Sequence, residues 1–166
     1  MLQFSLLDKS NFNVFAETLF SILAKNMSVI APSDNTYEED YKLWLEAVSN
    51  GLNKEARQII LIYFDNALIG FFQYYTACEL FMMEEVQILP QFHGKENIFR
   101  ELFRFIFSVL PYNIQTVEAF ANKKNEKSQK ILQRLGLQQI GENKNGDSYH
   151  YRGEYSSLIS WYRRTG

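Results

Sequence analysis

The sequence predicts an α+β fold with a mixed, mostly antiparallel central sheet flanked by helices. Three strand-like runs follow one another between residues 58 and 89, and consecutive strands joined by short turns pair antiparallel. A strand, a loop, a helix and another strand then follow over residues 84–120, which adds one parallel pair because such crossovers run through a helix. The 166 residues, with 14 Phe, 10 Tyr and 2 Trp and no linker-like stretch, fit a single domain over residues 1–166.

Composition argues against several classes of partner. The net charge of −2, from 17 Lys and Arg against 19 Asp and Glu, offers no positive field, so we expect no nucleic-acid partner. One cysteine excludes an intramolecular disulfide, and two separated histidines leave no zinc cluster, so no metal is expected. The N-terminal residues lack a signal-peptide pattern and no apolar run reaches membrane-spanning length, which predicts a cytoplasmic protein without membrane association.

The first 52 residues predict one short strand and two helices. The strand covers Gln3 to Leu7, and Ser10 is the expected cap of the first helix. Thr36 and Glu39 form a capping-box pattern for the second helix, after the loop around Pro32. Apolar residues recur at helical spacing in both helices: Phe12, Phe15, Ala16, Leu19 and Leu23 in the first, and Tyr37, Tyr41, Trp44 and Val48 in the second.

The middle of the chain predicts a meander of three strands followed by a helix. Gln58 to Phe64 and Ala67 to Thr76 are rich in Ile, Phe and Tyr and meet at the turn Asp65-Asn66. Leu80 to Leu89 is the third strand, and Pro90 ends its pairing. The third helix, Lys95 to Leu110, is apolar enough to be buried against the sheet.

The last third predicts a parallel strand, a capped helix and a hairpin. The strand is Thr116 to Phe120 and the helix is Glu126 to Leu135, with Ser128 on its packed face and Gly136 as its C-cap. Gln138 to Glu142 and Ser148 to Glu154 form the hairpin, which closes through Asn145-Gly146. Residues 156–166 form either a short helix or a frayed tail.

The junction of the third strand and the third helix has the form of an anion site. Glu84 to Leu89 passes through Pro90 into the loop Gln91 to Glu96, and the helix follows directly. Backbone N–H groups and the positive end of a helix dipole then face the loop, and both favour a phosphate. The expected ligand group is a pyrophosphate.

A second motif lies about thirty residues later: Asn125, then Ser128, then Leu135-Gly136-Leu137. With Gln91 and Gly94 in the loop, these residues resemble the GNAT superfamily of acyl-CoA N-acyltransferases, over residues 68–150. The lead-in Val117-Glu118-Ala119 is most similar to the branch of Rim-type ribosomal-protein N-acetyltransferases. Two positions depart from the family pattern, since Glu96 stands where the family has Gly or Ala and Leu132 stands where many members have Tyr.

The resemblance implies acetyl-CoA as co-substrate, bound where two parallel strands splay apart into a cleft. Val86 and Ile88 would bond the pantetheine arm through their main chain, the loop would hold the pyrophosphate, and Asn125 with Ser128 would form the far wall. The implied cofactor-binding residues are Val86, Ile88, Gln91, His93, Gly94, Lys95, Glu96, Asn97, Asn125 and Ser128.

Acetyl transfer to an amine needs a base, an oxyanion donor and a proton for the leaving thiolate. Glu85 is the favoured base and Glu84 its alternative, because strand alternation sends the two to opposite faces. The backbone N–H of Val86 or Gln87 is the expected oxyanion donor. Three further assignments are expected: Tyr149 or Tyr151 as acid, unless the thiolate leaves unaided; Glu118 near the acceptor, with a structural contact as its other reading; and His150 at the surface.

The expected acceptor is a primary amine, either a small molecule or a protein N-terminus. An acidic rim of Asp34, Glu38, Glu39 and Asp40 tilts this towards a cationic acceptor. The resemblance also allows a homodimer. Two alternatives stay open: a non-catalytic acyl-CoA-binding module, suggested by Glu96 and Leu132, and an interaction protein with a vestigial cleft.

Overall fold

The computed structural model describes residues 1–54 and 56–165 and confirms the mixed α+β fold. The described residues form a seven-stranded sheet of order β1-β2-β3-β4-β5-β7-β6, in which β4 and β5 run parallel, whereas the pairs β1/β2, β5/β7 and β6/β7 are antiparallel. The strands are β1 (Leu2–Leu6), β2 (Arg57–Phe64), β3 (Ala67–Ala77), β4 (Leu80–Ile88), β5 (Thr116–Asn122), β6 (Gln138–Glu142) and β7 (Ser148–Glu154). The helices are α1 (Phe12–Ile30), α2 (Tyr37–Leu52), α3 (Ile98–Val109), α4 (Glu126–Arg134) and α5 (Tyr155–Arg164).

The described chain packs as two compact units. The first unit contains residues 1–74 and 85–98, and the second contains residues 75–84 and the described residues from 99 onwards. Both β3 and β4 therefore begin in one unit and end in the other.

The core of the first unit lies between the two N-terminal helices and the strands β2 and β3. Its buried members are Leu7, Phe12, Ala16, Leu19, Val48, Leu52, Ile59, Leu61 and Phe71. Phe20 also meets the rings of Tyr41 and Trp44, at centroid distances of 5.3 and 5.4 Å. Burying each such side chain contributes about 1.5–3 kcal/mol, so the apolar periodicity of both helices is explained by this packing.

The N-terminal caps correct one prediction and confirm another. Ser10 does not cap α1; instead, Asp8 accepts hydrogen bonds from the Ser10 N–H and hydroxyl, at 3.1 and 2.8 Å, and begins a short 3₁₀ turn that precedes α1. These two bonds favour the carboxylate and hold the pKa of Asp8 below its ordinary value. The capping box of Thr36 and Glu39 is present as predicted.

The second unit combines a strand layer with an aromatic helix pair. Residues 80–83 of β4 pair parallel with residues 116–119 of β5, and β7 lies between β5 and β6. Trp161 of α5 meets the ring of Phe103 on α3 at 5.4 Å, and Tyr162 meets Phe107 at 5.3 Å. Residues 155–164 are thus a packed helix, while Gly166 lies outside the described residues.

The boundaries of α4 agree with the sequence pattern. The side chain of Asn125 accepts from the Ser128 N–H at 3.0 Å, which is an N-cap contact. Gly136 follows the helix with φ +94°, the left-handed conformation expected of a C-cap glycine. Among the described residues, no helix is long and apolar enough to cross a membrane.

Candidate functional site

The loop between β4 and α3 is the best candidate for an anion site in the first unit. A 3₁₀ turn covers Pro90–Phe92, and α3 begins at Ile98, three residues later than predicted. The delay follows from the backbone, because Glu96 and Asn97 have φ of +58° and +52° and so do not continue a right-handed helix. Gly94 shares this left-handed conformation, at φ +72°.

The loop leaves several backbone donors available. Its described hydrogen bonds use the N–H groups of Phe92, His93, Lys95 and Ile98. None of the bonds between described residues uses the N–H of Gly94, Glu96 or Asn97, and all three residues are exposed. Donors grouped in a turn with left-handed residues form a concave site that favours anions. The loop can therefore hold a phosphate group through its main chain.

The Glu96 side chain opposes this use of the loop. It is exposed and makes no ion pair with any described residue, Lys95 included. Its backbone also occupies a conformation that costs a residue with a Cβ about 1–2 kcal/mol. The sequence identified the charge of Glu96 as a departure, and the structure adds that its conformation favours glycine.

The end of β4 lies close against β3. The Leu89 N–H donates to the Ile69 carbonyl at 2.8 Å, so the main-chain groups of Gln87 and Leu89 face β3, and those of Val86 and Ile88 face the opposite edge. Of the two predicted oxyanion donors, only the N–H of Val86 therefore points away from β3. The Val86 side chain is 38% exposed.

The Ile88 carbonyl is already fully used by side chains. It accepts from the Asn26 Nδ2 at 2.9 Å and from the His93 Nε2 at 2.7 Å. A carbonyl oxygen has two lone pairs, so it offers no further acceptor to a pantetheine arm. A main-chain contact from Ile88 to a cofactor would have to come from its N–H.

The same contact restricts the role of His93. Because a carbonyl can only accept, the His93 Nε2 carries a hydrogen, and the only remaining ring atom is Nδ1. Nδ1 donates to a phosphate only when the ring is doubly protonated. The predicted phosphate contact of His93 is therefore conditional on its charge.

Glu85 and Gln87 lie on one face of β4 and contact each other. The Gln87 Nε2 donates to Glu85 Oε1 at 2.5 Å, and the Asn26 Nδ2 donates to Gln87 Oε1 at 2.9 Å. Gln87 is only 9% exposed. Sequence reading missed Asn26, although it stands seven residues after Leu19 and three after Leu23, where the apolar stripe of α1 would place another apolar residue.

The second unit contains the other predicted residues: Glu84, Glu118, Asn125, Ser128 and Tyr149. Asn125 uses its Oδ1 to cap α4, and no bond to a described residue uses its Nδ2. Ser128 is half-buried, and no bond to a described residue uses its hydroxyl. The cap and a ligand contact are compatible in Asn125, because they use different atoms.

The reading of His150 as a surface residue is wrong. Its Nε2 lies 2.5 Å from Glu118 Oε1, and the two side chains are 24% and 16% exposed. The Phe120 ring stacks on the imidazole at a centroid distance of 4.4 Å and an angle of 17°. Glu118 therefore makes the structural contact that was the alternative prediction for it. The carboxylate that was expected near the acceptor is bonded to His150.

The two tyrosines predicted as acids differ in accessibility. Tyr151 is 1% exposed, which removes its hydroxyl from direct contact with solvent. Tyr149 is half-buried, and the Lys123 ammonium lies 5.3 Å from the centre of its ring. Lys123 also pairs with Glu142 at 2.7 Å. Tyr149 is the better of the two as a proton donor.

Two of the four residues predicted as an acidic rim are used in capping. Glu39 accepts from the Thr36 N–H, and Asp40 accepts from Ser33 and Asn35, both at 3.1 Å. Their charges therefore stabilise the start of α2. Only Asp34 and Glu38 have no such contact among the described residues.

Solved structures of acetyltransferases share this fold. A PaiA N-acetyltransferase from Thermoplasma acidophilum, solved with coenzyme A, is 15% identical over 93% of this chain and 99% of its own, with a TM-score of 0.67. A protein from Desulfovibrio desulfuricans ascribed to the GNAT acetyltransferases is 14% identical over 93% and 99% of the two chains, with a TM-score of 0.69. Spermidine N-acetyltransferase from Vibrio cholerae, solved with CoA and spermine, is 14% identical over 95% and 98%, with a TM-score of 0.59.

No protein-family model and no curated protein sequence matches the chain. At 14–15% identity the structural likeness shows the fold. The chain therefore has the GNAT fold that its two motifs predicted, and nothing in these similarities singles out the Rim-type branch.

Proposed function

We propose that this protein is an N-acetyltransferase that moves an acetyl group from acetyl-CoA to a primary amine by direct transfer. The observation that carries the proposal is the loop before α3 in a GNAT fold, where the N–H groups of Gly94, Glu96 and Asn97 make no bond to any described residue. Two proteins of similar structure were solved with coenzyme A, which supports the choice of cofactor.

In the proposed site the loop binds the pyrophosphate of CoA. The N–H groups of Gly94, Glu96 and Asn97 donate to the phosphate oxygens, and the dipole of α3 favours their charge. Gln91 and Lys95 are exposed side chains that reach the same anion, and His93 joins them when its ring is charged. We also assign CoA contacts to the backbone of Val86, the N–H of Ile88, Asn125 and Ser128.

The transfer needs one proton removed and one supplied. The amine nitrogen attacks the thioester carbonyl carbon, and the resulting oxyanion accepts from the N–H of Val86. Glu85 takes a proton from the amine through water, and Glu84 is the alternative base. The C–S bond then breaks; the thiolate takes its proton from Tyr149 or leaves without a protein acid.

For the acceptor we propose a cationic amine of the polyamine type, since one protein of similar structure was solved with spermine. Neutralising Asp34 and Glu38 together, as Asp34→Asn with Glu38→Gln, tests the steering while leaving the caps of α2 intact. We expect a higher KM for spermidine with kcat unchanged. An unchanged KM would remove the steering role.

The decisive experiment combines binding with turnover. Thermal unfolding is measured with acetyl-CoA, CoA and ATP; a ligand at a hundred times its Kd stabilises by about 2.7 kcal/mol. Acetyl transfer is then measured against spermidine, kanamycin and a peptide with a free N-terminus. Thioester loss or product mass is the right readout, because the exposed thiol of Cys78 would add to any thiol-reagent signal.

Two residues, Glu96 and Leu132, favour a second function, that of a non-catalytic acyl-CoA-binding module. Glu96 places a carboxylate in the loop, and Leu132, which stands where many family members have Tyr, is buried and has no hydroxyl. Stabilisation by acetyl-CoA and CoA without transfer to any amine would favour this module. No stabilisation by any acyl-CoA would favour an interaction protein with a vestigial site.

A further inference from the structure

Three side chains of the first unit form a continuous hydrogen-bonded chain from α1 to β4. The Asn26 Nδ2 bonds both the Ile88 carbonyl and Gln87 Oε1 at 2.9 Å, and the Gln87 Nε2 bonds Glu85 Oε1 at 2.5 Å. All three contacts are at least partly buried. We refer to Asn26, Gln87 and Glu85 as the relay.

The backbone determines the direction of every bond in the relay. The Ile88 carbonyl can only accept, so Asn26 must present its NH2 group. The same NH2 group meets Gln87, which must therefore present its oxygen. That orientation leaves the NH2 of Gln87 facing Glu85. Neither amide can rotate by 180° without placing two donors or two acceptors against each other.

The relay ends in a donor aimed at a carboxyl group. A fixed N–H donor holds the acceptor oxygen of Glu85 in one place, because a hydrogen bond to a carboxylate is short and directional. An ionised carboxylate is the state in which a general base begins its reaction. Strand alternation also places Glu85 on the same face of β4 as Gln87, which contacts α1 through Asn26.

If these hydrogen bonds served only to join α1 to β4, fewer of them would be needed. The bond from Asn26 to the Ile88 carbonyl already ties α1 to β4. The second hydrogen of the same NH2 group, and the Gln87 side chain placed between Asn26 and Glu85, extend these bonds from the backbone to the ionisable side chain of Glu85.

We propose that Asn26 and Gln87 are positioning residues for acetyl transfer, which hold the Glu85 carboxylate in one orientation as the base. The proposal rests on the proposed function, because it takes Glu85 as the base. Asn26 and Gln87 act through Glu85 and need not touch acetyl-CoA or the amine.

Kinetics with acetyl-CoA and spermidine, or whichever amine of the panel turns over, test the role. Gln87→Met keeps the length of the side chain and removes its donor, and Asn26→Asp keeps the shape and removes the NH2 group. We expect kcat to fall roughly tenfold or more in both variants while the Kd of acetyl-CoA changes by less than about twofold. Asn13→Asp, at an exposed position of the same helix, should leave both values unchanged.

Two kinetic outcomes would overturn the role. One is a kcat of Gln87→Met equal to that of the wild-type protein. The other is a fall in kcat accompanied by an equal loss of acetyl-CoA affinity and of thermal stability, which would make the chain of bonds structural.

A second measurement separates the relay from the proposed function. The side-chain amide signals of Gln87 are followed by ¹H–¹⁵N NMR in the wild-type, Asn26→Asp, Glu85→Gln and Asn13→Asp proteins. We expect Asn26→Asp and Glu85→Gln to shift the signals and Asn13→Asp to leave them in place. Unshifted signals would disprove the relay. If the signals shift but the wild-type protein acetylates no amine, the hydrogen bonds of the relay are confirmed. The proposed acetyltransferase function is then wrong, and so is the positioning role of Asn26 and Gln87.

Discussion

A Cβ atom on Gly70 would lie 2.4 Å from the carbonyl oxygen of Gln87 and 3.2 Å from the Cα of Ile88. Both neighbours are backbone atoms, so a larger residue cannot be accommodated by a side-chain rotation. The absent side chain at Gly70 is what lets β3 approach the end of β4 this closely.

Substituting Gly70 should therefore displace the end of β4, from which the loop to α3 begins. For Gly70→Ala we expect a loss of about 2 kcal/mol in the free energy of unfolding, measured by urea denaturation, and weaker binding of acetyl-CoA. The matched control is Gly141→Ala in β6, where a Cβ would meet nothing within 4 Å. Equal stability of the two variants would disprove the close approach.

Replacing Glu96 by glycine should stabilise the loop between β4 and α3 and strengthen its binding of CoA. Glu96→Gly removes both the left-handed conformational cost and the carboxylate, so we expect stability to rise by about 1 kcal/mol and CoA to bind more tightly in calorimetry. Glu96→Gln removes the charge alone and separates the two effects. Gly94→Ala is the opposite change. Gly94 has φ +72° with open space around it, so the alanine is disfavoured by its backbone conformation alone. We expect this variant to lose about 1 kcal/mol in the free energy of unfolding.

The contact between Glu118 and His150 should appear as an energetic coupling. In a double-mutant cycle of Glu118→Gln and His150→Gln we expect a coupling free energy of about 1 kcal/mol, measured by chemical denaturation. The control cycle pairs His150→Gln with Glu154→Gln on the same strand. Equal coupling in the two cycles would mean that the contact contributes nothing to stability.

The turn at Asp8 should make stability depend on acidity. Its hydrogen bonds from Ser10 lower the pKa of the carboxyl in the folded protein below the ordinary value of 3.8. The stabilisation is therefore fully present above pH 3.8 and is lost as the pH falls through the lower folded pKa. Asp8→Asn should destabilise the protein at neutral pH, and the difference from wild type should shrink in acid. A difference that stays constant as the pH falls would contradict this prediction.

Patterns of neighbouring residues predicted most of the fold. The capping box of Thr36 and Glu39, the N-cap Asn125 and the turn Asp65-Asn66 depend on contacts within a few residues, and all three are present. The apolar spacing of α1 and α2 likewise indicates one packed face each, although Tyr37 at the start of α2 is 51% exposed. Such features follow from local geometry and burial, which a sequence records directly.

The candidate site was less predictable because its contacts join distant segments. Asn26 meets Gln87 across 61 positions, and Glu118 meets His150 across 32. The position of Asn26 in the apolar stripe of α1 was overlooked, and even if noticed it would not have named Gln87 as its partner. No sequence pattern predicted that Glu96 and Asn97 would both turn left-handed and delay α3.

The sequence by itself determined the order and type of the elements up to the final hairpin and the place of the loop between β4 and α3, because these depend on periodicity, caps and turns between near neighbours. Only the tertiary structure decided which way the Asn26 and Gln87 amides point, since the Ile88 carbonyl sets both. It also decided that Glu118 is engaged by His150. Directions of hydrogen bonds between distant residues depend on the packing of whole strands and helices, which no local pattern contains.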